Sequence, residues 1–305
     1  MNKPSGNEER LHALFRQAFR AQPGVGAPGD DCARLSVPAG GILAVSADQV
    51  VAGVHTPLDA TPEALARKLL RRSLSDLAPA GATPWAVFWT ATVPADHGSA
   101  WLERLARAFL AEAELFEVAV AGGDLSTGPA VVLSCTVLGL EGKRPAPGRG
   151  GAKAGDRLVV TGNLGNAVGS GRHMLPQPRL AAGRRLVQEH CAHAAIDLSD
   201  GLGRDLPRLL QASGVGAHVE LEALPLAAGL DSGPSGWKCA LEEGEDYELL
   251  AALPAGYVAG ALADPELAAV GLQMIGEVTA GTAATWTVRG EEFALPAGGW
   301  EHRWS

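Results

Sequence analysis

The sequence predicts a protein of two domains, of which the first has an α+β fold. With 305 residues, the chain is long enough for two domains of ordinary size. A segment rich in glycine and proline, Gly142–Gly151, separates two halves that both contain helix and strand patterns. In the first half these patterns follow in the order β-α-β-α-β-β, which is typical of a ferredoxin-like α+β domain. The expected domains are residues 1–141 and 150–305.

The N-terminal half alternates between helical and extended patterns. Apolar residues three and four apart predict helices, and short β-branched runs between turn residues predict strands. Thr61, Pro62 and Glu63 form a helix start, with a capping hydroxyl, a proline at the first helical position and an acid in the first turn. The expected helices are Glu8–Arg20, Thr61–Ala80 and Ala100–Leu115, and the expected strands are Ile42–Ser46, Trp85–Val93, Val118–Ala121 and Val131–Leu138.

The C-terminal half is organised around Asp-Leu-Ser-Asp-Gly at residues 197–201. Leucines at helical spacing after Gly201 predict a helix with one buried face, and Pro207 within it predicts a late start or a kink. Strands are expected over Leu158–Thr161 and Ala217–Leu221. Five acids in seven residues precede an apolar run at 249–253, so the acidic segment is expected to lead into a buried strand.

Charge and cysteine usage exclude several classes of protein. The net charge is −9 and the basic residues form no stripe, whereas a protein that binds the nucleic-acid backbone needs one. The four cysteines are far apart, which argues against a zinc site or a disulfide framework and suits a reducing cytosol. The N-terminus is polar and no apolar run reaches membrane-spanning length. We therefore expect a cytoplasmic protein without nucleic-acid or membrane partners.

Six aspartates stand where a carboxylate is expected to take part in chemistry. Each lies in a predicted loop, at the end of a predicted strand, or on the apolar side of a helix, where an unpaired carboxylate is costly. If a helix begins at Asp197, Asp200 follows three residues later and points to the same side. The six are Asp31, Asp48, Asp76, Asp124, Asp197 and Asp200.

Simpler structural roles exist for some of these positions. Ser199 or Asp200 suits the N-cap of the following helix equally well. Asp31 belongs to a turn that is ordinary by itself, and an isolated His55 more often has a structural role than a ligand-binding one. Because acids recur across both halves, the set nevertheless predicts a shared site for several hard cations. Magnesium is usually bound by carboxylates together with substrate phosphates, which predicts nucleotide phosphate transfer.

Seven short motifs occur in an order that is specific to one family. They are Gly29-Asp-Asp31, Ser46-Ala-Asp48 followed by Gly53-Val-His55, Leu74-Ser-Asp76, Gly122-Gly-Asp124, Arg149-Gly-Gly-Ala-Lys with Gly155-Asp156, Ile196-Asp-Leu-Ser-Asp-Gly201 and Gly244-Glu-Asp-Tyr-Glu-Leu249. The chain ends in Gly299-Trp300-Glu-His302, as members of that family do. By these residues the chain resembles, over essentially its whole length, the thiamine-monophosphate kinases of the aminoimidazole ribonucleotide synthetase superfamily.

The resemblance implies a fold, an activity and a set of site residues. It implies an N-terminal α+β domain that pairs in a homodimer and a C-terminal α/β domain. The implied reaction converts thiamine monophosphate and ATP to thiamine diphosphate and ADP with several Mg²⁺ ions, and Asp48, Asp76 and Asp200 are the expected catalytic residues. The implied metal ligands are Asp31, Ser46, Ala47, Asp48, Asp76, Asp124, Asp197 and Asp200; the ATP contacts are Phe116, Gly123, Asp124, Arg149 and Ser199; the substrate contacts are His55, Glu245 and Trp300.

Three residues depart from the family pattern. Ala47 stands where relatives usually have Thr, so that only a backbone carbonyl can serve there. Leu175 replaces an Arg, and Glu243 replaces the first Gly of the usual Gly-Gly-Glu-Asp. These departures concern the rim of the expected site. Two alternative functions therefore stay open, namely another ATP-dependent synthetase of the superfamily and a nucleotide-binding relative without turnover.

Overall fold

Two units of mixed helix and strand make up the chain, and the predicted fold class is confirmed. The structure, a computed structural model, describes residues 13–14, 16–18, 21–26 and 32–293. The N-terminal unit comprises Met1–Leu77 and Thr83–Leu140, and the C-terminal unit comprises Ala78–Ala82 and Glu141–Ser305. Of the predicted helix Glu8–Arg20, only residues 13–14 and 16–18 are described, and these are helical. No helix in the described ranges has the length and apolar character needed to cross a membrane.

The N-terminal unit is a four-stranded sheet with two helices on one face. The elements are β1 Leu43–Val51, α1 Pro62–Ser75, β2 Thr83–Val93, α2 Gly98–Leu115, β3 Ala119–Thr127 and β4 Val132–Leu140. The strands lie in the order β1-β4-β2-β3, with β2 and β3 parallel and the other neighbours antiparallel. Trp89 of β2 stacks on Phe109 of α2, with ring centroids 4.7 Å apart, which marks the face covered by the helices.

Alternation along the strands explains this packing. In β2, Trp89 and Ala91 are buried under the helices, whereas Thr90 between them is exposed. Leu65, Leu69 and Leu74 of α1 are fully buried, as their helical spacing predicts. The sheet therefore has one face that packs against the helices. The opposite face, called the open face below, is exposed at Thr90 and is covered only in part, by Val25 and Leu35.

The predicted ends of α1 and of two strands are wrong: the helix is shorter than predicted, and the strands are longer. The helix ends at Ser75, not Ala80, because Pro79, four residues later, has no backbone N–H to donate to the Ser75 carbonyl; Asp76 is its C-cap. Gly81, expected as the C-cap, instead has a φ of +61° in the following turn. Strands β1 and β3 run on past their first polar residues, which puts Asp48 and Asp124 within strands and not at their tips.

The C-terminal unit contains a seven-stranded mixed sheet. Its strands are β5 Arg157–Val160, β6 Ala194–Leu198, β7 Gly216–Glu220, β8 Glu248–Leu253, β9 Gln273–Thr279, β10 Ala284–Val288 and β11 Glu291–Glu292. They lie in the order β11-β10-β7-β9-β5-β8-β6, with β10 parallel to β7 and the other neighbours antiparallel. The helices are α3 Leu180–Arg184 (continued by a π-helical turn, Arg185–Glu189), α4 Leu202–Ser213, α5 Pro234–Glu242, α6 Ala255–Ala263 and α7 Pro265–Ala269.

Helix α4 begins directly after Gly201, despite the proline within it. Gly201 has a φ of +95°, which a residue with a side chain rarely adopts, and this turns the chain from β6 into the helix. Pro207 removes one backbone donor, yet the helix continues to Ser213 because its leucine face is buried against the sheet. The prediction of a late start is therefore wrong.

Candidate active site

Two carboxylates and a hydroxyl meet where α1 ends beside β1. Ser46 and Asp48 lie two residues apart in β1, on the face that packs against α1, since the residues between and beside them are exposed. The Ser46 hydroxyl donates to Asp76 Oδ2 at 2.5 Å. Arg72 Nε donates to Asp48 Oδ2, also at 2.5 Å. We call Ser46, Asp48 and Asp76 the β1 acid patch; Arg72 supplies one balancing charge.

Ala47 and Asp124 lie on the open face of the same sheet. Ala47 is exposed and points away from its neighbours Ser46 and Asp48. Asp124 is exposed and pairs with Thr90 in the parallel register of β2 and β3, so its side chain is on the side of Thr90. Asp48 therefore lies on the face towards α1 and Asp124 on the opposite face. The assignment of Asp124 as a metal ligand stays a prediction.

Structural roles are visible for two predicted ATP contacts of the N-terminal unit. Phe116 ends α2 with its ring centroid 5.3 Å from the guanidinium carbon of Arg71. Gly123 is required by the close pairing of β2 and β3, because a Cβ there would overlap the carbonyl oxygen of Trp89.

His55 is held on both sides by its own unit. Its Nδ1 accepts a hydrogen bond from the Val51 amide at 3.0 Å, which puts the proton of the neutral ring on Nε2. Its carbonyl oxygen accepts from Lys68 Nζ at 2.6 Å, and the Lys68 side chain is 0% exposed. The loop that carries His55 is therefore fixed by a buried ammonium group, which is compatible with the structural role and with ligand contact alike.

In the C-terminal unit, Asp197 and Asp200 belong to different elements. Asp197 is buried within β6, where it pairs with Leu249, and the helix begins only at Leu202. Asp200 lies in the intervening turn and is half-buried. The expectation that both carboxylates share one helix face is therefore wrong, because a strand and a turn separate them from α4.

Asp205 organises this turn, and the sequence analysis missed it. Its Oδ2 accepts hydrogen bonds from the Ser199 and Asp200 amides at 3.0 and 2.9 Å, and its side chain is fully buried. The N-cap residue is Gly201, which has no side chain to cap with, so neither Ser199 nor Asp200 is the cap. The available signal was an acid in the first turn of a helix, where a carboxylate meets unpaired amides.

The segment Glu243–Tyr247 packs directly against the same turn. The amides of Glu245 and Tyr247 donate to the carbonyl oxygens of Ser199 and Leu198, both at 2.8 Å. A Cβ on Gly244 would come within 2.5 Å of the Ser199 oxygen, so only glycine fits there. Glu245, the predicted substrate contact, is thereby placed beside the Asp200 turn.

Glu243 and Asp246 fix the glycine-rich segment that follows β5. Glu243 accepts from the amides of Asn166 at 2.6 Å and Val168 at 3.0 Å. Asp246 accepts from the Gly165 amide and from Arg172 Nη2, the latter at 2.6 Å. The departure at Glu243 therefore has a structural function, since its carboxylate anchors backbone amides of this chain.

Burial raises the pKa of Asp246 to about 7, and Arg172 opposes that increase. Because its pKa lies above the ordinary value of 3.8, Asp246 keeps its proton in the folded state between about pH 4 and 7, where the unfolded chain has lost it. The contribution of Asp246 to stability therefore falls as the pH rises through this range. We expect the wild-type free energy of unfolding to decrease, relative to Asp246→Asn, by up to about 1.4 kcal/mol per pH unit between about pH 4 and 7. Urea unfolding of both proteins at three pH values measures this, and parallel curves would contradict it.

The remaining predicted site residues are Arg149, Asp31 and Trp300. Arg149 is exposed, and its carbonyl oxygen accepts from Ser213 Oγ at 2.8 Å, which attaches the segment before β5 to the end of α4. Asp31 and Trp300 lie outside the described residues. In the described ranges, no three carboxylate, histidine or cysteine side chains form one cluster able to hold a metal ion. Pairs of carboxylates fit Mg²⁺ all the same, because this ion is commonly held by one or two carboxylates and substrate phosphates.

Comparison with known proteins gives the same family for both units. The family model "AIR synthase related protein, N-terminal domain" matches residues 29–140, and the corresponding C-terminal domain model matches residues 153–289. The chain is 36% identical over 303 residues to the thiamine-monophosphate kinase of Escherichia coli strain K12, with 90% of each chain covered.

Solved structures extend the comparison to the fold. The thiamine-monophosphate kinase of Stenotrophomonas maltophilia superposes with a TM-score of 0.80 at 32% identity, covering 93% of this chain and 95% of that one. AaThiL complexed with AMPPCP and TMP superposes with a TM-score of 0.74 at 25% identity, covering 97% of both chains. The chain therefore consists of the two AIR synthase related domains and belongs to the thiamine-monophosphate kinase family.

Proposed function

We propose that this chain transfers the γ-phosphoryl group of ATP to thiamine monophosphate, giving thiamine diphosphate and ADP. The observation that carries the proposal is the β1 acid patch, in which Ser46 of β1 donates to Asp76 and Asp48, two residues further along β1, pairs with Arg72, within a chain similar throughout to kinases of that name. The complex of AaThiL with AMPPCP, an ATP analogue, and TMP supports both substrates.

The chemistry fits a site made of carboxylates. The acceptor is already a phosphate anion, so no general base is needed to deprotonate it. Catalysis then depends on aligning two phosphate groups and neutralising their repulsion. Bound Mg²⁺ supplies that neutralisation, while the protein contributes carboxylates on rigid elements and an arginine fork at Arg149 that suits phosphate oxygens.

The proposed roles follow the motifs. Asp48, Asp76 and Asp200 are the proposed catalytic residues; the first two lie near β1, and Asp200 lies in the turn after β6. His55, Glu245 and Trp300 bind thiamine monophosphate. The full set of proposed metal ligands is Asp31, Ser46, Ala47 (by its carbonyl oxygen), Asp48, Asp76, Asp124, Asp197 and Asp200, and the proposed ATP contacts are Phe116, Gly123, Asp124, Arg149 and Ser199.

The proposal includes a cytoplasmic homodimer. The open face of the N-terminal sheet supports pairing, since Val45 is 59% exposed there. An apolar sheet face of this kind is commonly covered by another surface.

Trp300 is expected to stack on an aromatic ring of the thiamine. Replacing Trp300 by Ala should raise the Michaelis constant for thiamine monophosphate by roughly tenfold, because such a stack contributes on the order of 1 kcal/mol beyond the buried area. The Michaelis constant for ATP should change by less than about twofold. Trp101→Ala, on α2, is the matched control. Unchanged affinity for thiamine monophosphate in Trp300→Ala would point to a different acceptor.

A chromatographic assay tests the activity against its alternatives. The purified protein is incubated with Mg-ATP and thiamine monophosphate, and thiamine diphosphate and ADP are quantified together. Equal amounts of both products support the proposal. ADP without thiamine diphosphate would indicate another acceptor, as in a synthetase, and bound ATP without any product would indicate a binding protein without turnover.

A further inference from the structure

The carboxylate of Asp200 forms an ion pair with the guanidinium group of Arg208. Arg208 Nη1 lies 2.7 Å from Asp200 Oδ2 and 2.7 Å from Asp205 Oδ1. Arg204, one turn earlier on α4, is more distant, with its Nε 4.0 Å from the same Asp200 oxygen. Both helical arginines thus face the turn after β6, but Arg208 makes the direct contact.

The position of Arg208 is built into the fold. Asp205 is fully buried and holds the amides of Ser199 and Asp200, so the turn, the acid and the helix form one unit. The contact between Arg208 and Asp205 then directs the guanidinium towards Asp200. The side chains of Asp200 and Arg208 are 24% and 37% exposed, so that solvent screens their attraction only in part.

We propose that Arg208 is the resident counter-ion of Asp200 and opposes the binding of a divalent cation to the protein alone. A cation that binds Asp200 Oδ2 has to displace Arg208, and a cation at the other carboxylate oxygen still lies near its positive charge. A nucleotide removes this opposition, because its phosphates offer the displaced guanidinium another anion. Metal and nucleotide therefore enter together. This inference rests on the proposed role of Asp200 as a metal ligand.

Binding of Mn²⁺ to the full-length protein tests the inference without reference to turnover. Electron paramagnetic resonance of free Mn²⁺ is measured for the wild type, Arg208→Met, Arg208→Gln and Arg208→Lys, without nucleotide. The two neutral variants should bind Mn²⁺ at least about fivefold more tightly, and Arg208→Lys should stay within about twofold of the wild type. Arg204→Met is the matched control and should have a smaller effect than Arg208→Met. With saturating AMPPCP the advantage of the neutral variants should disappear.

Equal or weaker Mn²⁺ binding by both neutral variants, with their melting temperatures retained, would overturn the inference. If Arg208→Met loses stability, Arg208→Gln still tests the inference, because its amide can donate to Asp205 and keep the fold intact. Asp200→Asn separates this result from the proposed function. If Asp200→Asn leaves Mn²⁺ binding unchanged, the metal-ligand role of Asp200 fails; if it weakens binding while the neutral variants show no gain, only the role of Arg208 fails.

Discussion

Replacing Asp48 by Asn is expected to lower kcat by at least about 1,000-fold. Asp48 faces α1 from β1, two residues from Ser46, which donates to Asp76, so an amide there keeps the shape of the patch and removes one of its charges. If this carboxylate holds a cation that neutralises the transferring phosphoryl group, its loss raises the barrier by about 4 kcal/mol. Steady-state kinetics with thiamine monophosphate and ATP measures the effect.

Folding and chemistry can be separated in this experiment. Asp48→Asn leaves the guanidinium of Arg72 without its carboxylate, which is expected to lower the melting temperature. The double variant with Arg72→Met removes that charge and should recover stability without recovering kcat. Asp96→Asn, an exposed acid of the same unit, should behave as the wild type. A kcat for Asp48→Asn within about tenfold of the wild type would contradict a catalytic role.

Replacing Asp205 by Ala is expected to have the largest effect on stability. The carboxylate is fully buried, accepts from two backbone amides and pairs with Arg208 at 2.7 Å. Burial raises the pKa of Asp205, while the Asp200 amide and Arg208 lower it. Its removal leaves two amides without their acceptor, which costs about 3 kcal/mol of unfolding free energy.

Calorimetry measures the loss as a fall in melting temperature of the C-terminal unit, expected at roughly 8 °C. Gln211→Ala, at an exposed position of the same helix, is the matched control and should shift the melting temperature by less than about 2 °C. Equal melting temperatures for Asp205→Ala and the control would show that Asp205 does not hold the turn.

The general architecture was predictable because it follows from periodicity. The leucine stripe of α1 and the alternation of β2 each specify which side is buried, and both predictions agree with the structure. The ends of elements were harder to predict. Strand β1 continues through Asp48 because the carboxylate, on the face towards α1, is paired with Arg72, whereas the sequence pattern predicted the end of the strand at the first polar residue.

The acids of the candidate site were predicted from the sequence, and their roles stay predictions; their ion-pair partners were not predicted. Arg72 and Arg208, which pair with Asp48 and Asp200, come from helix positions that carry no signal of their own. Asp205 was overlooked because an acid in the first turn of a helix is common. Such partners become visible only when the register of strand and helix is known.

Phosphorus NMR of the reaction mixture tests the central claim most directly. With Mg-ATP and thiamine monophosphate, we expect the single resonance of the monophosphate to be replaced by the two coupled doublets of a diphosphate ester. One ADP should form for each thiamine diphosphate. Formation of ADP and inorganic phosphate with the monophosphate resonance intact would contradict it.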